Sequence, residues 1–147
     1  MQFVRRRVVK TPPETVFAVL AEGWLFPSWV VGASRMRGVE GDWPAVDSRI
    51  HHSFGVWPFV VDDTTSVTEW DPPRRAVFTP RGWPLGEARV VIDVEPHRRG
   101  CLVRMEERAV KGPGTLLPDV VMSALVQVRN GEALRRLGWL AEGGAAD

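Results

Sequence analysis

Two histidines stand side by side in Arg49-Ile50-His51-His52-Ser53-Phe54, a run that alternates apolar and polar residues. Ile50, His52 and Phe54 form the more apolar set, so strand alternation turns His52 inward and His51 outward. An even-length hairpin loop centred on Trp57-Pro58 sets Phe54 opposite Val61, His52 opposite Asp63 and Ile50 opposite Thr65. Directly opposed side chains on one face of a sheet are close enough to interact. His52 and Asp63 therefore read as an imidazole held in one tautomer by a carboxylate, which is what a general base needs. The same pair also reads as a structural polar pair on a cavity wall or at the surface, and a bulge at Gly55 would break it.

A second candidate lies in residues 101–110. Cys101, Val103, Met105, Glu107 and Ala109 make one face, against Leu102, Arg104, Glu106 and Arg108. The second face is the charged one, so Glu107 is expected to turn inward. A buried carboxyl there could bond a ligand hydroxyl or act as an acid; it could equally be a rim carboxylate paired with an arginine. Asn130, the one asparagine, stands beside Arg129 and either closes a local hydrogen-bond network or touches ligand. Other chemistries lack their residues. The histidines do not fall in HExxH spacing, one cysteine makes no thiolate-rich zinc site, and no GxGxxG, P-loop or GxSxG stretch occurs. No cofactor is expected.

The chain carrying these groups has 147 residues, suited to one domain over residues 1–147. Lys+Arg is 19 against Asp+Glu 18, a net charge of +1, which argues against a nucleic-acid partner. The one basic run, Arg5-Arg6-Arg7, leads straight into Val8-Val9 and reads as a strand with solvated side chains. No stretch approaches the ~20 apolar residues of a membrane span. A lone cysteine and the absence of a signal-like apolar run near the start make a cytoplasmic setting the expectation.

Residues 2–10 are Val-rich and predict a strand. Thr11-Pro12-Pro13-Glu14 then opens a helix, with Thr11 as the cap and a proline in the first turn, and Gly23 closes it. A short helical or irregular piece spans 24–31. Strands follow near 34–40, 48–56, 59–70, 74–81, 86–96 and 101–110, and Gly112-Pro113-Gly114 ends the series. A long helix over about 118–142 places Val121, Leu125, Val128, Leu134 and Leu137 near one side. Gly131 falls inside it, where a missing side chain leaves room for a ligand or a close strand, or marks a kink. Trp43, Trp57, Trp70 and Trp83 recur at intervals of 14, 13 and 13 residues, each next to or one residue short of a proline. They punctuate the hairpins of an antiparallel meander.

This order resembles the START-like (SRPBCC) superfamily of polyketide cyclases and lipid-transport proteins. The residues carrying the resemblance are Thr11-Pro12-Pro13-Glu14-Thr15-Val16-Phe17, Trp29, Glu69 to Arg75, the Gly112-Pro113 break, and Arg129-Asn130 with Leu134-Arg135-Arg136-Leu137. The stretch His51 to Pro58 is similar to one in uncharacterised actinobacterial members. The resemblance covers essentially the whole chain. It implies an α+β helix-grip fold: a seven-stranded antiparallel curved sheet wrapped around a long C-terminal helix, with two short helices between strands 1 and 2. An apolar cavity between sheet and helix is also implied, and the family opens it at the end that holds Trp57 and Trp83, which become candidate gates. Phe54, Phe78, Met105, Val121 and Leu125 would line it, with Glu107 and Asn130 as polar contacts and His52 and Asp63 as the candidate catalytic pair.

Three functions are compatible with this. The first is binding or carriage of an apolar or aromatic small molecule, lipid or polyketide-like. The second is a polyketide aromatase/cyclase or dehydratase with His52 as base. The third is a protein-interaction module without ligand. The motifs of the resemblance say little about activity, since the fold hosts binders, carriers and cyclases alike, and binding is the first expectation.

Overall fold

The computed structural model describes residues 3–31, 33–56, 58–81, 87–111, 116 and 118–146. Strand β1 (Phe3–Val9) leads to helix α1 (Pro13–Ala21), a 3-10 turn (Gly23–Leu25) and the short helix α2 (Phe26–Trp29). Six strands follow in sequence: β2 (Ala33–Glu40), β3 (Arg49–Val56), β4 (Phe59–Asp71), β5 (Arg75–Pro80), β6 (Glu87–His97) and β7 (Gly100–Lys111). Helix α3 (Asp119–Glu142) comes last. The strands form one antiparallel sheet in the order β1-β7-β6-β5-β4-β3-β2. β2 to β7 thus run as a meander, and β1 closes on its far edge. Extra residues interrupt the pairing in β2, β4 and β7. Trp43-Pro44 and Pro72-Pro73 are cis.

One face of the sheet is buried because its strands alternate. Ile50, Val67, Ala76, Phe78, Ile92, Val94, Val103 and Met105 pack with Val16, Phe17 and Leu20 of α1 and with Leu134 and Leu137 of α3. Trp43 joins this core from its turn and Trp70 from the end of β4: Trp43 stacks on Phe78 and donates to the Leu20 carbonyl at 3.1 Å, and Trp70 meets Phe17 edge-on. The opposite face is charged, with Arg75 on Asp93 at 2.6 Å and Arg104 on Glu106 at 3.0 Å. This is the helix-grip arrangement. No helix among the described residues is long and apolar enough to cross a membrane.

Three local expectations are corrected. Pro12, not Thr11, takes the cap position of α1, and no side-chain cap bond forms. Two prolines in a row fix the chain into the first turn without needing one. The second correction concerns α3. At about 100° per residue, Val121, Leu125 and Val128 fall together, but Leu134 and Leu137 lie on roughly the opposite side. The buried stripe is Val126, Asn130, Ala133, Leu134, Leu137 and Ala141, whereas Val121, Leu125 and Val128 are 44%, 59% and 75% exposed. The third is the arginine run, which is not wholly solvated. Arg5 and Arg6 are exposed but Arg7 is half-buried, and Arg5 and Arg7 reach back to α3 at its two glycines. A Cβ on Gly131 would meet the Arg5 guanidinium at 2.6 Å, so the close strand occupies the room that this glycine leaves.

Candidate functional site

β3 and β4 pair in the register that alternation and the hairpin predict: Ile50 opposite Thr65, His52 opposite Asp63 and Phe54 opposite Val61, with no shift at Gly55. Arg37 fixes this pair from β2 by donating to the backbone carbonyls of His52 and Asp63 at 3.3 and 3.0 Å. His51 turns outward, between Glu40 (Nε2 to Oε2, 2.9 Å) and Thr64 (Nδ1 to Oγ1, 3.1 Å). His52 turns inward and is 1% exposed.

The surroundings of His52 set its chemistry. Its ring lies against Phe26, with centroids 4.9 Å apart. Its Nε2 is 3.0 Å from Thr65 Oγ1 and 3.8 Å from Asp63 Oδ2. Asp63 is held in turn: its Oδ1 accepts from the backbone N–H groups of Thr64 at 2.7 Å and Arg81 at 3.1 Å. Nδ1 of His52 is buried and has no hydrogen-bond partner. Burial holds the imidazole pKa below its usual value; the Asp63 carboxylate and the Ser53 backbone pull upward without cancelling it. The neutral ring keeps one nitrogen as donor and one as acceptor, with the Thr65 hydroxyl and the Asp63 carboxylate on its Nε2 side.

A cavity opens over this ring. Phe26 and Trp29 of α2 and the following Val30 and Val31 form one wall. His52, Asp63 and Thr65 form the floor with Phe78, Pro80, Val90 and Met105 of the next three strands. Arg129, Asn130 and Ala133 of α3 close the third side. The cavity has a volume of about 50 Å³ and is open to solvent on one side. Asn130 is 3% exposed and its Nδ2 has no partner. Glu107 is buried next to this cavity on β7, opposite Val90, with Oε1 3.5 Å from Arg129 Nη2 and Oε2 without a hydrogen bond.

The structure thus gathers His52, Asp63, Phe78, Met105 and Asn130 around one space, with Glu107 behind it. Val121 and Leu125 are not there; they sit on the solvent side of α3. Trp57, Trp83 and the side chain of Phe54 lie outside the described residues. Thr65 was legible as a partner of His52: it is the diagonal neighbour two residues beyond Asp63 on the same face. Phe26 and Trp29 carried only the weak signal of one i,i+3 aromatic pair.

Comparison with known proteins follows this geometry. A family model described as polyketide cyclase / dehydrase and lipid transport matches residues 1–142. No curated protein matches the chain. Among solved structures, protein NE0264 from Nitrosomonas europaea is similar at a TM-score of 0.76 and 16% identity, covering 100% of this chain and 97% of that one. A Rhodobacter sphaeroides protein is similar at 0.74 and 22% identity, covering 97% and 93%. The di-domain ARO/CYC StfQ of the steffimycin biosynthetic pathway is similar at 0.74 and 16% identity, covering 99% of this chain and 52% of that one. At these identities the likeness is one of fold.

Proposed function

Because the chain belongs to the polyketide cyclase/dehydrase and lipid-transport family, we propose that the cavity between α2, the inner sheet face and α3 binds a small, mostly apolar molecule. One observation carries the reading: a fully buried imidazole with an unsatisfied nitrogen in an aromatic-walled space. Core polar atoms are rarely left without partners, and a pocket of apolar walls with few convergent polar groups is what a small-molecule site requires. Size bounds the occupant. At about 50 Å³ the cavity is about a third of the ~150 Å³ cavity that takes up benzene in an engineered lysozyme. The cavity is open on one side, so a larger ligand would extend from it into solvent. Apolar burial at about 25 cal/mol per Å² supplies the affinity, less the cost of association. A lone buried cysteine suits work in a reducing, cytoplasmic setting.

Native-state mass spectrometry of freshly purified protein tests this. A bound organic molecule of a few hundred daltons is expected. An apo spectrum, together with no uptake from a panel of aromatic ketones and fatty acids, overturns the proposal.

A second reading, general-base catalysis, is favoured by the pairing of His52 with Asp63 in the cavity lining. The Asp63 carboxylate, 3.8 Å from Nε2, would stabilise the imidazolium once the ring has taken a proton from an acidic C–H or O–H of a ligand. If His52→Gln keeps ligand affinity yet abolishes turnover of a poly-β-ketone substrate, this reading replaces simple carriage.

A further inference from the structure

The charged face of the sheet, turned away from the core, carries a second depression of about 140 Å³, lined by Arg75, Arg89, Val91, Glu106 and Arg108. That is close to the ~150 Å³ of a cavity that holds benzene. The floor is apolar: Val91 stands opposite Val77 of β5, and both are buried. The walls are mostly guanidinium groups, in two kinds. Arg75 grips both carboxylate oxygens of Asp93, at 2.6 and 3.1 Å. Arg104, on the same face, takes Glu106 at 3.0 Å and reaches Asp93 at 3.6 Å. Asp93 and Glu106 are thereby both engaged. Arg89 and Arg108 stand directly opposite each other on β6 and β7, and among the described residues neither has a hydrogen bond or an ion pair. Like charges set opposite each other on paired strands destabilise a sheet. The neighbours do not cancel the excess. On this part of the face Arg6, Arg75, Arg89, Arg104 and Arg108 stand against Glu69, Asp93 and Glu106, although the whole chain is balanced to within one charge. A depression lined by one sign of charge over an apolar floor concentrates ions of the other sign.

We propose that this depression binds the phosphate group of a soluble phosphate ester or diphosphate, taken by the forks of Arg89 and Arg108 together. A phosphate presents oxygens to two bidentate arginines at once. One fork already engages both oxygens of a carboxylate, as Arg75 does with Asp93. A bound dianion turns the repulsion between Arg89 and Arg108 into two attractions, while Arg75, pinned by Asp93, forms a fixed wall. The site lies on the other side of the sheet from the cavity over His52, so it stands whether or not that cavity takes a ligand.

The test uses the purified full chain at low ionic strength, followed by thermal melting and calorimetric titration. The probes are inorganic phosphate, pyrophosphate and glycerol phosphate, each set against sodium chloride at matched ionic strength. Pyrophosphate and at least one of the other two are expected to bind with a Kd of about 1 mM or tighter and to raise the Tm. Arg89→Gln and Arg108→Gln are each expected to weaken that binding about 10-fold or more. Without ligand, each variant is expected to melt level with the wild type or up to about 4 °C above it, because one member of the opposed pair is gone. Arg98→Gln removes the same charge from the exposed β6–β7 turn, roughly 30 Å along the strand from Arg89, and is expected to bind as the wild type does. Equal weakening by Arg98→Gln reduces the effect to general charge attraction and overturns the site. So do phosphate probes that act no better than chloride. Salt-sensitive binding of a polyglutamate peptide, with none of the phosphates bound, also overturns it and marks the face as a contact for an acidic protein.

Discussion

His52 and Cys101 are both buried in the core, and burial pushes their pKa values in opposite senses because one is neutral when deprotonated and the other charged. For His52 the folded pKa lies below the usual value. The unfolded chain then takes up its proton first as pH falls through about 6.5. Stability from this residue is fully present above that pH and is lost as pH falls toward the folded pKa. The urea midpoint should therefore drop between pH 7 and pH 5 more steeply in the wild type than in His52→Gln; equal slopes would refute the assignment. Cys101 is pushed up to about 11, by burial first and by the nearby Glu14 charge second. At pH 8 a disulfide reagent should find no reactive thiol in the native protein and one per chain in guanidinium. Fast native labelling would mean that β7 opens more readily than its packing allows.

Among the elements, α3 and the β6–β7 hairpin make the sharpest predictions. Gly100 has φ +141°, and a Cβ there would fall 2.6 and 2.7 Å from the backbone N and O of Thr11. Neither backbone can yield, so Gly100→Ala should cost about 2–4 kcal/mol by chemical denaturation. Gly131→Ala meets only the movable end of Arg5, and should be neutral or gain up to about 1 kcal/mol from helix propensity. Val128→Gln should change stability by less than about 0.5 kcal/mol, while Leu137→Ala should cost about 2–5 kcal/mol. The reverse ranking would restore the apolar face first read for α3. That face was illegible for a physical reason. The inward stripe is built of Ala133, Ala141 and Asn130 as much as of Leu134 and Leu137, and small or polar residues carry little hydrophobic signal. The outward stripe, Val121, Leu125 and Val128, carries more. The β3–β4 register was legible because a short hairpin and a strict two-residue alternation both specify it, which placed His52 against Asp63 from sequence alone. Trp57, and Trp83 with its neighbours, lie outside the described residues.

On the scale of the whole molecule, one continuous core joins sheet, α1, α2 and α3 among the described residues. Urea unfolding followed by far-UV circular dichroism and by fluorescence of the seven tryptophans should give one coincident midpoint. Two separated midpoints would mean that α3 leaves the sheet before the sheet itself unfolds. The placement of β1 has a bearing on time as well as shape. Its hydrogen-bonding partner, β7, and its main helical neighbour, α3, both come late in the chain; Phe3 pairs with Glu107, roughly 100 residues further on. During synthesis the first strand emerges long before either partner, and its Val-rich edge must wait unpaired. The sheet can be completed only after β7 has been made, so a ribosome carrying this chain holds an open edge until that strand emerges, the interval in which a chaperone would have most to cover.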